Sequence, residues 1–241
     1  MFPCFGVILI YNLLSNILQE EYGEVRLLKE SSRGSVRLIR HKATGQKFIL
    51  RQFTGNAEVY RKLLGCSCPN LPTIYEVAEK NGENLVLEEF VEGDTLDFLL
   101  REALFSPEET RKIVMQLCRA LWVLHDLGAV HRDVKPDNVI LRGDTAVLID
   151  FDAARVYKTE QAADTQILGT TGFAAPEQYG MSQSDRRADI YSVGVLINVM
   201  LTGEHPSKKL APGHLGRVVE HCTRVNPAKR YKTVLRLVEA L

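Results

Sequence analysis

His131-Arg132-Asp133-Val134-Lys135-Pro136-Asp137-Asn138, followed downstream by Asp150-Phe151-Asp152, is the stretch on which the reading of this chain turns. It gathers two carboxylates (Asp133 and Asp150), a cation (Lys135) and an amide (Asn138) in a segment with no helical or strand periodicity. Loops and strand ends are where side chains from different parts of a chain converge. A carboxylate there can face a hydroxyl group, and a lysine can offset negative charge on a second reactant. A further carboxylate beside an amide oxygen suits a hard divalent cation, which prefers oxygen ligands.

The flanks place this loop. Upstream, Ser106-Pro107-Glu108-Glu109 reads as a capping box, with Ser at the N-cap, Pro at the first helical position and Glu at the third. Ile113, Val114, Leu117, Leu121 and Leu124 then keep helical spacing, and Gly128 is a suitable stop. Downstream, Val139-Ile140-Leu141 and Val147-Leu148-Ile149 read as a hairpin turning at Gly143-Asp144. Further helices are predicted over 190–201, 214–222 and 232–241. Towards the N-terminus, strands at 36–39 and 47–51 are joined across 41–45, 56–64 is helix-like, and a second hairpin turns at Asn81-Gly82, a type I′ signal. A strand-rich front therefore meets a helix-rich back near 88–94, and clefts between such parts commonly hold ligands.

Composition narrows the class. The 241 residues are 45% hydrophobic and 25% charged, with 30 basic and 30 acidic side chains and no formal net charge. That balance argues against nucleic acid or a membrane surface as a partner, since both favour basic patches. Five scattered cysteines (Cys4, Cys66, Cys68, Cys118, Cys222) indicate reduced thiols and a cytoplasmic protein rather than a disulfide framework. Cys66 and Cys68 lack a second Cys/His pair at zinc spacing. Residues 1–19 carry no charged side chain and no basic n-region, and Pro3, Asn12, Ser15 and Asn16 interrupt their apolar run. They are expected to form a helix packed on the domain, with membrane association through residues 1–19 as the alternative.

Over residues 22–241 the chain resembles the eukaryotic-type (Hanks-type) serine/threonine protein kinases, and the wording of Gly172-Phe173-Ala174-Ala175-Pro176-Glu177-Gln178-Tyr179 is similar to compact bacterial members. The resemblance implies an α+β bilobal fold: an N-lobe (22–88) of antiparallel sheet plus one main helix, a hinge (89–93) and a mainly helical C-lobe (94–241), preceded by an extension over 1–21. It implies ATP and Mg2+ as cofactors and protein Ser/Thr hydroxyls as acceptors. Asp133 then orients the acceptor hydroxyl, Lys135 contacts the γ-phosphate, and Asn138 and Asp150 bind magnesium. Thr170 bridges Asp133 and Lys135. Ser31, Gly34, Val36, Ile49, Arg51, Glu58, Glu89, Val91 and Ile140 line the nucleotide site, with Val36 above and Ile140 below the adenine. Glu177 with Arg230, and Asp189, are scaffold groups. His131 and Phe151 are read as core, and His125, His205 and His221 as surface or packing residues.

The chain departs from that family pattern in its front half. Of three expected loop glycines it has Lys29, Ser31 and Gly34. Arg51 stands where a lysine is expected, and guanidinium and ammonium are not equivalent at a tight phosphate site. Lys47, on the same strand face, is the alternative cation. Counting puts Tyr60 where a helix glutamate belongs, so Glu58 is the nearest acid for Arg51. Glu88 falls at the gatekeeper position, and Asp152 replaces a glycine. The short stretch from Gly203 to Arg230 implies a reduced substrate-docking helix. Arg132 suggests an activation-loop phosphate on Thr165, or else on Thr159 or Thr171. An active kinase, a pseudokinase scaffold and a small-molecule phosphotransferase are the three functions compatible with these features.

Overall fold

The computed structural model describes residues 4–157, 172–179 and 184–241, with side chains from residue 11 onward. The chain divides into two compact units, Met1–Ser67 with Pro72–Val91, and Cys68–Leu71 with Glu92–Leu241.

In the first unit, helix α1 (Cys4–Glu21) precedes strands β1 (Tyr22–Ser31), β2 (Gly34–His41) and β3 (Lys47–Thr54). Helix α2 (Glu58–Leu63) leads to β4 (Ile74–Lys80) and β5 (Glu83–Glu89). The strands form one antiparallel sheet in the order β1-β2-β3-β5-β4. The last hairpin turns through Asn81 (φ 53°) and Gly82 (φ 82°), the two positive angles that a type I′ turn requires. Cross-strand partners share a face, and successive residues alternate. Register sets Val36 opposite Arg51, Arg51 opposite Val86, and Leu38 and Glu88 opposite Ile49, so these six share one face. Phe53 is on that face as well, and α2 packs there through Tyr60, ring centroids 5.7 Å apart.

The opposite face presents Ile39, Phe48, Leu85 and Leu87. With Ala78 they pack against Tyr11, Leu14 and Leu18 of α1. Burying side chains of this kind is worth about 1.5–3 kcal/mol each, which fastens the uncharged N-terminal segment to the sheet. Polar ties fix its orientation. The Tyr11 hydroxyl donates to Glu83 Oε2 at 3.0 Å, and Lys80 Nζ donates to Asn12 Oδ1 at 2.9 Å. At the C-terminal end, Lys42 Nζ donates to the carbonyls of Gln19 (3.2 Å) and Glu20 (2.6 Å), where a helix leaves acceptors unsatisfied and its dipole is negative. Among the described residues no helix is long and apolar enough to cross a membrane.

The second unit opens with β6 (Asp94–Thr95) and α3 (Leu96–Glu102), whose N-cap Thr95 accepts from the Phe98 amide. Helix α4 (Pro107–Asp126) carries the expected capping box, Ser106 and Glu109 bonding reciprocally. Strands β7 (Ala129–Val130), β8 (Val139–Arg142), β9 (Thr145–Leu148) and β10 (Arg155–Val156) follow. They form a sheet β6-β8-β9 and a pair β7-β10. Helices α5 (Arg187–Thr202), α6 (Gly213–Cys222) and α7 (Val234–Val238) complete the unit. The last is shorter than the predicted 232–241 at both ends: Thr233 is its N-cap, accepting from the Arg236 amide, and it stops at Val238.

Ile190, Val193, Leu196, Ile197 and Met200 of α5 are fully buried, with Val114, Leu117 and Leu121 of α4. Gly194 lets α5 lie directly against Cys222 of α6, where a Cβ would collide. After α5 the chain runs as a loop to α6, held by buried Asn198. Its Nδ2 donates to the carbonyls of Glu204 and Lys209, and its Oδ1 accepts from the Ala211 amide. No helix lies between Gly203 and Pro212, as the short spacing predicted.

Candidate active site

The Asp133 loop begins where β7 ends, and α5 fixes its path. Asp189, in the first turn of α5 and fully buried, accepts from the backbone amides of His131 (3.0 Å) and Arg132 (2.7 Å). It also meets His125 Nε2 at 2.8 Å. Burial alone raises a carboxyl's pKa, but here the His125 bond and charge, with the backbone donors, outweigh it and hold Asp189 below the ordinary range. Arg132 is consequently held at φ 70°, left-handed backbone that a non-glycine residue adopts at a cost of about 1–3 kcal/mol. His125, a surface or packing residue on the sequence reading, is a partner of the aspartate that shapes this loop.

His131 is buried and packs edge-on against Phe151, centroids 5.6 Å apart. Its Nδ1 accepts from the Asp133 amide at 3.3 Å, so Nε2 is the donor to the Ile149 carbonyl at 3.2 Å. Burial lowers its pKa, against opposing pulls from Asp189, Asp133 and Asp150, and keeps the ring neutral.

Within this frame Asp133, Lys135 and Asn138 converge. Lys135 Nζ lies 3.2 Å from Asp133 Oδ2. Asn138 Nδ2 donates to Asp133 Oδ2 at 2.9 Å and to its carbonyl at 2.8 Å. With Nδ2 committed to Asp133, Oδ1 is the Asn138 atom suited to a hard cation. A 3-10 turn, Pro136–Asn138, brings the amide back under the loop, and the Asn138 carbonyl accepts from the Ile149 amide at 2.9 Å. Next in the chain, Asp150 also takes left-handed backbone (φ 66°), and its Oδ1 accepts from the Asp152 amide at 3.3 Å. Ile140 lies on β8, paired with Thr95 and Val147.

Further along, Arg230 grips Glu177 with both terminal nitrogens, at 2.6 and 2.8 Å, lies 5.0 Å over the Tyr191 ring and donates to three backbone carbonyls. Gln178, on the same 3-10 turn (Pro176–Tyr179), joins Ala175 to Arg132. Sequence reading gave this residue no role. Thr170, and the expected phosphate acceptors Thr165, Thr159 and Thr171, lie outside the described residues.

In the first unit, Arg51 is 6% exposed and its Nε stands 2.6 Å from Oε1 of Glu88, itself 4% exposed. Glu88 is therefore a partner of Arg51, where the sequence offered Glu58 as the nearest acid. Glu58 heads α2 half-buried, its amide bonded to Asn56 Oδ1, and among the described residues it makes no ion pair with Arg51. The helix turns Tyr60 inward instead, packed on Phe53, and Glu88, an acid that reaches Arg51, comes from the neighbouring strand. Lys47, the alternative cation, is exposed and sits over the Phe90 ring at 5.4 Å.

The β1–β2 turn is narrow. Ser31 Oγ donates to the Gly34 carbonyl and accepts from the Arg33 amide, both at 3.3 Å, and the Arg33 carbonyl takes the Thr54 amide at 2.9 Å. Gly34 has φ 154°, and a Cβ there would fall inside the Gln52 carbonyl. The surviving glycine is thus demanded by strand contact. Val36 and Ile49 share the Arg51 face. Glu89 accepts from the Thr73 amide at 3.0 Å, and Val91 is buried.

In the second unit a carboxylate, an ammonium and an amide meet on one buried frame; the first unit is an antiparallel sheet with a helix packed on each face. Comparison with known proteins gives the class: the protein kinase domain family matches residues 21–222. The chain belongs to that family, and its α+β fold is a protein kinase fold. It is 32% identical over 195 residues to a serine/threonine-protein kinase, pkn2, of Myxococcus xanthus, covering 76% of this chain and 23% of that protein. With the serine/threonine-protein kinase PknA of Nostoc it shares 27% identity over 264 residues, 96% of this chain and 46% of that protein. With the serine/threonine-protein kinase TIO of Arabidopsis thaliana it shares 31% over 201 residues, 78% and 15% respectively. The chain spans less than half the length of each.

Proposed function

We propose that this chain is a serine/threonine protein kinase, transferring the γ-phosphate of ATP to Ser and Thr hydroxyls of proteins. The observation that carries the reading is the meeting of Lys135 Nζ and Asn138 Nδ2 on one carboxylate oxygen of Asp133. Phosphoryl transfer asks a protein chiefly for positioning and charge stabilisation. Asp133 orients the acceptor hydroxyl and takes its proton, and Lys135 offsets charge on the transferred group. Asn138 Oδ1 and the Asp150 carboxylate are hard oxygen donors, which fit magnesium. Among the described residues no group of three or more His, Cys, Asp or Glu could hold a metal alone. Magnesium typically takes one or two protein carboxylates and completes its shell with water and substrate phosphates. Held there, it would supply positive charge to offset that of the phosphate groups. Arg51 supplies charge from the sheet unit, beside Val36 and Ile49.

The kinase domain is taken as 22–241, divided at 88–94, with 1–21 as an extension. Cys118 and Cys222, buried and outside any disulfide, fit a cytoplasmic setting. The Arg51–Glu88 pair supports a second reading, a pseudokinase that binds nucleotide without turnover. Transfer of labelled γ-phosphate from Mg-ATP to a generic basic acceptor decides between them. Label on Ser or Thr that disappears in Asp133→Asn supports the kinase; Mg-ATP binding with no label supports the pseudokinase.

A further inference from the structure

We propose that Gln178 is a positioning residue for Asp133, clamping the peptide plane from which that aspartate springs. Nε2 of Gln178 donates to the Arg132 carbonyl at 2.9 Å, and its Oε1 accepts from the Ala175 amide at 3.0 Å. The side chain is 1% exposed, so both bonds form away from water, where losing either leaves a polar group unsatisfied.

The Arg132 carbonyl and the Asp133 amide belong to one planar group. Gln178 holds its oxygen edge, and His131 Nδ1 accepts from its N–H edge at 3.3 Å. A plane held at both edges cannot rotate, so the direction in which Asp133 leaves the chain is set. The preceding amide is fixed separately by Asp189, which makes the left-handed Arg132 over-determined. Gln178 is anchored in turn. Its own amide closes a 3-10 turn on the Ala175 carbonyl at 2.9 Å, and the adjacent Glu177 is gripped by Arg230. A continuous run of contacts therefore joins Arg230, Glu177, Gln178 and the base. Only a carboxamide serves here: glutamate could accept from Ala175 but, ionised, would set a negative oxygen against the Arg132 carbonyl.

This inference rests on the kinase reading for its effect on rate, and the experiment separates the two. Gln178→Ala and Gln178→Glu are compared with wild type for kcat, for KM of ATP, and for backbone amide exchange across 131–135 and 172–178. For Gln178→Ala, kcat is expected to fall about 10- to 100-fold, as a slight misplacement of a reacting group entails. KM for ATP stays within about twofold, and the Ala175 and Asp133 amides exchange faster. For Gln178→Glu, activity relative to wild type recovers as pH is lowered and the carboxyl regains its donor proton. A purely structural defect would lower the active fraction equally at every pH. Unchanged kcat and unchanged exchange in Gln178→Ala, or a Gln178→Glu ratio flat with pH, overturns the proposal. If wild type itself transfers no phosphate, the kinase reading fails instead, and amide exchange alone decides whether the clamp exists.

Discussion

Arg51 and Glu88 are bound to one another inside a single sheet, two rungs apart on neighbouring strands β3 and β5, at 2.6 Å and shielded from water. Removing one member of a buried pair leaves an uncompensated charge, whereas replacing both with apolar groups can be neutral. Arg51→Met or Glu88→Leu alone should destabilise the protein by about 3–5 kcal/mol, and the double variant should recover most of that loss. Urea unfolding of the three variants measures it; additive losses in the double variant would refute the pairing.

The tip of the first hairpin gives a second prediction. Gly34→Ala forces a Cβ into the β3 backbone at positive φ. It should cost about 1–3 kcal/mol and weaken nucleotide binding by disturbing Ser31 and Val36, both read out by thermal shift with and without Mg-ATP. Gly45→Ala, where the Cβ meets open space but φ is also positive, separates backbone strain from collision.

Acid sensitivity follows from His131. Its folded-state pKa lies below the ordinary value near 6.5, so between the two the unfolded chain binds more protons. Stability therefore rises with pH through that window and falls on acidification. His221, lowered by burial and by Arg224, contributes with the same sign. Asp189, also lowered, adds its own loss at more acid pH. The melting temperature should drop between about pH 7 and pH 5, and His131→Leu should flatten that slope in part while lowering stability at neutral pH.

The N-terminal helix gives a fourth test. Leu18→Ala should cost about 2 kcal/mol or more, as loss of a buried leucine commonly does. Lys42→Met, which removes only the bonds to the Gln19 and Glu20 carbonyls, should cost less than 1 kcal/mol. Equal costs would mean that α1 is held by its polar end rather than by the apolar face.

The catalytic loop was legible because Asp133, Lys135, Asn138 and Asp150 are residues whose chemistry announces itself at that spacing. Helix α4 and the Asn81-Gly82 hairpin were legible because caps and turns are local signals. What escaped was non-local pairing. That Glu88 reaches Arg51 is decided by strand register, whereas counting along α2 offered only Glu58 as the nearest acid. Gln178 and His125 act through a carbonyl and a buried carboxylate more than 40 positions away in the chain, and no periodicity encodes such a bond. The start of the predicted 232–241 helix was misplaced because Thr233 resembles an interior residue until its hydroxyl is seen to cap.

The Arg51–Glu88 bond has a further consequence. A helix can roll by a few degrees at small cost, so a charge held by a helix is adjustable. A strand with one buried face keeps its facing only by moving in steps of two residues, roughly 7 Å, and each step breaks a row of backbone bonds. The Glu88 charge beside Arg51 is thus bolted to the ladder rather than hung on a lever, and a small rotation of α2 leaves that contact in place.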